Sequence, residues 1–116
     1  MNKTLSWVLV LSSIVGCASD PAPNEQLRLT EQALTQARLA GASEQAAELV
    51  QAEQKLAAAI AAMKDKDYRE ARLQAEQAEL DARLAEARVL NEKSGLEIAE
   101  LSRRIARLRE QLGAMQ

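Results

Sequence analysis

The sequence has no histidine and no phenylalanine. Its 116 residues include one cysteine, two prolines, four glycines, one tryptophan and one tyrosine. Each scarcity removes a class of fold or function. With no imidazole and a single thiol, there is no Cys/His metal site and no Ser/His or Cys/His nucleophilic dyad. The glycines stand apart from one another, so no glycine-rich loop cradles a phosphate. A lone cysteine forms no disulfide within its own chain. Val and Ile together number nine, several of them in residues 1–16, so strand formers are few. Trp7 lies in that same opening stretch, which leaves Tyr68 as the one aromatic beyond it. Aromatic rings ordinarily supply much of the area a core buries, so the core is expected to be thin.

Alanine (23) and leucine (17) fill the gap, with Glu, Gln and Arg around them. Such a mixture with few breakers favours long helices. The expected fold is all-α: an elongated antiparallel helical hairpin or three-helix arrangement, with a long coiled-coil-like C-terminal helix. At this length it is at most one small domain.

The formal net charge is −2, and without Lys3 there are 14 Lys and Arg against 17 Asp and Glu. This balance gives no electrostatic case for nucleic acid. The carboxylates fall on polar helix faces, their ordinary place, and a thin alanine core offers little to perturb one. Neither an enzyme nor a small-molecule substrate is expected, and no cofactor beyond a covalent lipid.

Residues 1–16 have three parts. Met1-Asn2-Lys3-Thr4 carries a positive charge, Leu5 to Val15 is apolar apart from Ser6, Ser12 and Ser13, and Gly16 precedes Cys17. That is the layout of a secretory signal. The apolar stretch of roughly 11 residues is too short to span a bilayer, which takes about 20. Ile14-Val15-Gly16-Cys17 resembles the lipobox of bacterial lipoproteins. Gly16 and Cys17 match the usual pattern, and Ile14 and Val15 depart from its commonest residues. The resemblance implies diacylglycerol on the Cys17 sulfur and cleavage between Gly16 and Cys17. The alternative is an ordinary signal peptide with a chance cysteine. Multiple acyl chains anchor stably, each buried methylene adding about 0.8 kcal/mol. Ala18, where some lipoproteins carry Asp, implies by the same resemblance transport to the outer membrane, with the body facing the periplasm.

Residues 17–24 hold two prolines among small polar residues and read as an extended tether. An Ala-rich helical hairpin domain is expected over 25–93, followed by a helical extension over 94–116. Helix 1 should run from about Glu25 to Ala40, with Asn24 as its cap and Gly41 ending it. Helix 2 should start after Ser43, its expected N-cap, and end near Lys64. Its core face should carry Leu49, Leu56, Ile60 and Met63. Helix 3 should start at Tyr68, with Asp67 and Glu70 spaced as a capping box. It should continue to about Leu112, with Ser94-Gly95 as its one weak point.

Helix 3 carries two stripes. Ala71, Ala75, Ala78, Ala82, Ala85 and Val89 would let helix 2 approach closely, with helix 1 alongside. Leu80, Leu84, Ala87, Asn91, Ser94, Ile98, Leu101, Ile105, Leu108 and Leu112 form the second. Ile98 and Ile105 fall at heptad position a, with Leu101 and Leu108 at d, a choice that suits a parallel two-stranded coiled coil. The flanking charges oppose that arrangement. In register they would pair Glu76 with Asp81, Arg83 with Arg88 and Arg104 with Arg109, all alike in sign. The seam either folds on its own chain as ordinary core, pairs antiparallel, or meets another envelope protein. Arg103, Arg104, Arg107 and Arg109 form a candidate basic patch for peptidoglycan carboxylates, anionic headgroups or an acidic partner, or else a solvated flank beside Glu100 and Glu110.

Three resemblances bear on these residues. Leu56 to Ala78, with Tyr68-Arg69-Glu70-Ala71 opening the second helix, is similar to one helix-turn-helix unit of tetratricopeptide type. A single unit is too few for a solenoid. The lipid cysteine and Ala/Leu heptads resemble the murein lipoprotein, but the chain ends Gly113-Ala114-Met115-Gln116. It lacks the terminal lysine that joins that protein to peptidoglycan. The lipobox, the Ala-rich hairpin with its Lys-Asp-Lys-Asp-Tyr turn and the helical tail together resemble an uncharacterised family of small periplasmic lipoproteins. Members of that family are similar to the N-terminal region of some OmpA-like envelope proteins. The resemblance implies a place in the envelope and a structural or scaffolding role. The alternatives are non-covalent peptidoglycan binding or service as an accessory subunit.

Overall fold

A computed structural model describes residues 20–115. The expected leader over residues 1–16, the expected lipid site at Cys17 and the first part of the expected tether lie outside the described residues. Three helices follow one another: α1 (Asn24–Ala40), α2 (Ala47–Lys64) and α3 (Tyr68–Gly113). No strand occurs among the described residues, and the all-α, elongated architecture is the one expected.

Helix ends follow local chemistry, and two of them correct the sequence reading. Pro23, not Asn24, sits at the N-cap of α1. Its carbonyl accepts from the Leu27 amide (3.1 Å), and no side chain caps the helix. Proline's fixed φ suits a helix entrance, so Asn24 becomes the first helical residue. Ser43 does not cap α2. Its hydroxyl accepts from the Gln45 amide (3.2 Å) in a local turn, and the helix begins only at Ala47. Small hydroxyl side chains favour such turns as readily as caps.

The other ends match expectation. Gly41 closes α1 in the left-handed region (φ 104°), with the Ala42 amide reaching back to the Ala37 carbonyl (3.0 Å). Lys66 closes α2 the same way at φ 61°, and the Asp67 amide reaches the Ala62 carbonyl (2.9 Å). Asp67 then caps α3 by accepting from the Glu70 amide (3.1 Å). The reciprocal half of the capping box is missing, because the Glu70 carboxylate accepts from Gln74 instead (2.7 Å).

α3 runs 46 residues without interruption, about 69 Å at 1.5 Å per residue. The break allowed for at Ser94-Gly95 does not occur. One glycine costs a helix roughly 1 kcal/mol relative to alanine, and strong helix formers on both sides carry the backbone through.

The alanine stripe organises the body. Ala71, Ala75, Ala78, Ala82 and Ala85 are at most 2% exposed. Against them pack Thr30, Ala33, Leu34 and Ala37 of α1, and Leu49, Ala52 and Ala59 of α2. Both helices therefore lie on the alanine face of α3. α2 runs antiparallel to it, tied by Lys55–Asp81 (2.6 Å) and Arg88–Glu48 (2.7 Å). α1 runs parallel to it. Gln26 donates to Glu79 (2.6 Å) near one end, and Lys93 donates to the Ala40 carbonyl (2.6 Å) at the other. Ile60, expected inside, lies at the edge of the α2 face and is 39% exposed.

Candidate functional site

The helical turn of 100° per residue that gathers the alanines on one side of α3 gathers the leucines on the other. Leu80, Leu84, Ile98, Leu101, Ile105, Leu108 and Leu112 all lie on that second face, and all are exposed, between 46% and 66%. Ala87, Asn91 and Ser94 continue the line between them, exposed as well. The seam is thus a single stripe, as its spacing predicts. It is not the core of this chain's own bundle: no described element covers it.

The stripe extends further toward the N terminus than its expected start at Leu80. Leu73, 46% exposed, occupies the d position one heptad before Leu80. The polar Gln77 between them breaks the apolar run and hides the continuation. Projecting the heptad backward by seven would have found it.

α3 has a supported half and an unsupported half. The Lys93 contact with Ala40 is the last tie to the body among the described hydrogen bonds and ion pairs. From Ser94 to Met115 every residue is exposed except Glu100, which is half-buried. Roughly 30 Å of helix therefore projects alone. An isolated helix of this length is marginal in water, since helices draw most of their stability from packing an apolar face.

The arginines do not form one patch. Glu100 gathers three of them: Arg104 (2.9 Å), Arg103 (3.0 Å) and Arg107 (3.8 Å). Hydrogen bonds from Arg104, then Arg103, hold its carboxyl below the usual carboxylate range. Arg103 and Arg107 lie on the side away from the seam, whereas Arg104 and Arg109 flank it on opposite edges. Arg109 makes no ion pair among the described residues. In the body, hydrogen bonds from Arg83, then Gln26, likewise lower the Glu79 carboxyl. Among the described residues no three His, Cys, Asp or Glu side chains converge as metal ligands. No described helix is long and apolar enough to cross a membrane.

A comparison with the curated proteins gives no match. The crystal structure of a DUF4398 family protein from Pseudomonas aeruginosa PAO1 is similar. It has 56% sequence identity and a TM-score of 0.76, and the match covers 83% of this chain and 100% of that one. The family model for the domain of unknown function DUF4398 matches residues 25–101, from the first turn of α1 into the projecting half of α3. The chain belongs to the DUF4398 family.

Proposed function

We propose that this is a lipid-anchored envelope protein without catalytic activity, whose working part is the uncovered face of α3. The observation that carries the reading is the apolar stripe left exposed along a helix that projects beyond its own body. Such a surface is costly to leave in water and marks a contact site. Cys17 supports the anchoring half of the proposal. The chain's only thiol falls where the apolar leader ends and a proline-containing tether begins. The body would face the periplasm from the outer membrane, acting as a scaffold between envelope components. The dispersal of the four arginines around α3 argues against a dedicated polyanion site for peptidoglycan.

Two measurements test the two halves. Labelling cells with a fatty-acid probe should mark the wild-type protein and leave Cys17→Ala unmarked; equal label on both would overturn the anchor. A photo-crosslinking residue at Leu101 or Leu108 should give a protein adduct in cells, and the absence of any adduct would overturn the contact surface.

A further inference from the structure

The seam needs an occupant, and the charges along its edges identify one. We propose that a second copy of this chain covers it, running antiparallel in the register that sets Leu84 of each copy against Leu101 of the other. This rests on the seam being a contact surface and names what it contacts.

The length of the seam comes first. From Leu73 to Leu112 the a and d positions run through roughly six heptads and are apolar at all but Gln77, Asn91 and Ser94, a repeat of the kind that marks a coiled coil. The stripe drifts slowly around a straight helix, as a 3.5-residue repeat must on a 3.6-residue helix, and a left-handed supercoil removes the drift.

Orientation follows from the e and g residues, which set partner choice in coiled coils. A parallel pair brings g against e, and every charged pair it forms is alike in sign: Glu76 with Asp81, Arg83 with Arg88, Arg104 with Arg109. An antiparallel pair brings g against g and e against e. With Leu84 facing Leu101, Glu76 meets Arg104 and Arg83 meets Glu97 along the g edge, and Asp81 meets Arg109 along the e edge. All three are opposite in sign, and the two-fold axis makes each occur twice. The remaining edge residues bring no like charges together, since Arg88 faces Ser102 and Leu90 and Gly95 each meet themselves.

The register is as well specified as the orientation. Sliding one heptad in one direction sets Glu76 against Glu97. Sliding one heptad in the other sets Arg83 against Arg104 and Arg88 against Arg109. The chosen register also fills the seam. Ala87 lies opposite the larger Ile98, the polar Asn91 and Ser94 face each other in the two layers beside the axis, and the long side chain of Gln77 lies against Leu108.

The monomer's geometry leaves room for this. α1 and α2 occupy the alanine side of α3, so the projecting half of one copy lies along the back of the other copy's body as a fourth helix. Glu76, Glu97 and Arg109 make no ion pair among the described residues. Arg83 and Arg104 are held only by carboxylates four residues back on their own helix, and their side chains are 58% and 64% exposed. Asp81 holds Lys55 through Oδ2 (2.6 Å), which leaves its other oxygen for Arg109.

The test uses the full-length chain extracted in non-ionic detergent, with dimerisation followed by sedimentation. Glu76→Arg and Arg104→Glu should each raise the dimer dissociation constant roughly tenfold, since two edge pairs turn repulsive. The double variant should return close to the wild-type value. In a parallel pair, Glu76→Arg would face Asp81 and Arg104→Glu would face Arg109, so each single change would tighten the dimer. A photo-crosslinker at Leu101 should attach to the peptide around Leu84 of a second copy. Tightening by either single change, attachment around Leu101 itself, or a chain that stays monomeric at all concentrations overturns the proposal. If the monomer still crosslinks from Leu101 to a different protein in cells, the contact surface stands and self-pairing falls. If no adduct of any kind forms, both fall.

Discussion

Thr30 shows what an alanine interface demands of its neighbours. Its hydroxyl lies 2.9 Å from two carbonyl oxygens, that of Gln26 on its own helix and that of Ala75 across the interface. The side chain is fully buried. With no bulk on the α3 side, the α1 backbone comes close enough for a short side chain to reach the opposite main chain. A hydroxyl there must be satisfied, because an unpaired buried one costs about 1–3 kcal/mol. Thr30→Val keeps the shape, removes the donor and sets a methyl against the Ala75 oxygen. It should lower stability by about 1 kcal/mol, measurable as a lower urea midpoint at unchanged slope. Residues of this kind are the ones the sequence conceals. Apolar periodicity passes over a threonine, and Thr30 is identifiable as core only once α1 is seen against α3. Asn24 and Ser43 are hidden for a related reason. Each is a good capping residue, but Pro23 and the Ser43–Gln45 turn compete for the same backbone groups, and composition does not rank such local contests.

At the level of elements, periodicity reads well because it reports which residues share a face. The Ala71 to Ala85 stripe, the Gly41 stop, the Asp67 cap and the start of α3 at Tyr68 are all legible on that basis. So is the alignment of Ile98, Leu101, Ile105, Leu108 and Leu112. Periodicity does not report what covers a face. The alanine and leucine stripes look equally capable of facing a core, and only the three-helix packing shows that one is buried and the other bare. Nor does periodicity decide the continuity of α3 through Ser94-Gly95, since a single glycine weakens a helix without dictating a break. A methyl added at Gly95 meets nothing within 4 Å. Gly95→Ala should therefore stabilise the helix there by about 1 kcal/mol. Because the projecting half has no neighbours in its own chain, the gain should appear as slower amide exchange over residues 94–113, with little change in the alanine-packed body. Equal slowing throughout would mean that the two halves of α3 unfold as one unit.

For the whole molecule, the proposed antiparallel register would turn two short bodies with bare arms into one rod. Each body sits at an end and each arm lies on the other's back, so the faces that are marginal alone cover one another. The arrangement also fixes where the N-terminal tethers emerge. Arg72 donates to the Pro21 carbonyl (3.3 Å), holding the start of the described chain beside the first turns of its own α3. In the proposed register, Arg72 of one copy lies level with Gly113 of the other. The two Pro21 residues are then separated by nearly the whole length of the helix, about 60 Å. With a lipid at Cys17 of each copy, both anchors can reach one bilayer only if the rod lies along it, and a rod that stands upright keeps a single anchor inserted. Nitroxide labels at Asn24→Cys, placed in the dimer and measured by pulsed electron paramagnetic resonance, should give a distance centred near 60 Å. A parallel pair would hold the same two labels side by side at a small fraction of that distance, so one measurement separates the two arrangements and also tells whether the anchors can share a membrane while the seam stays closed.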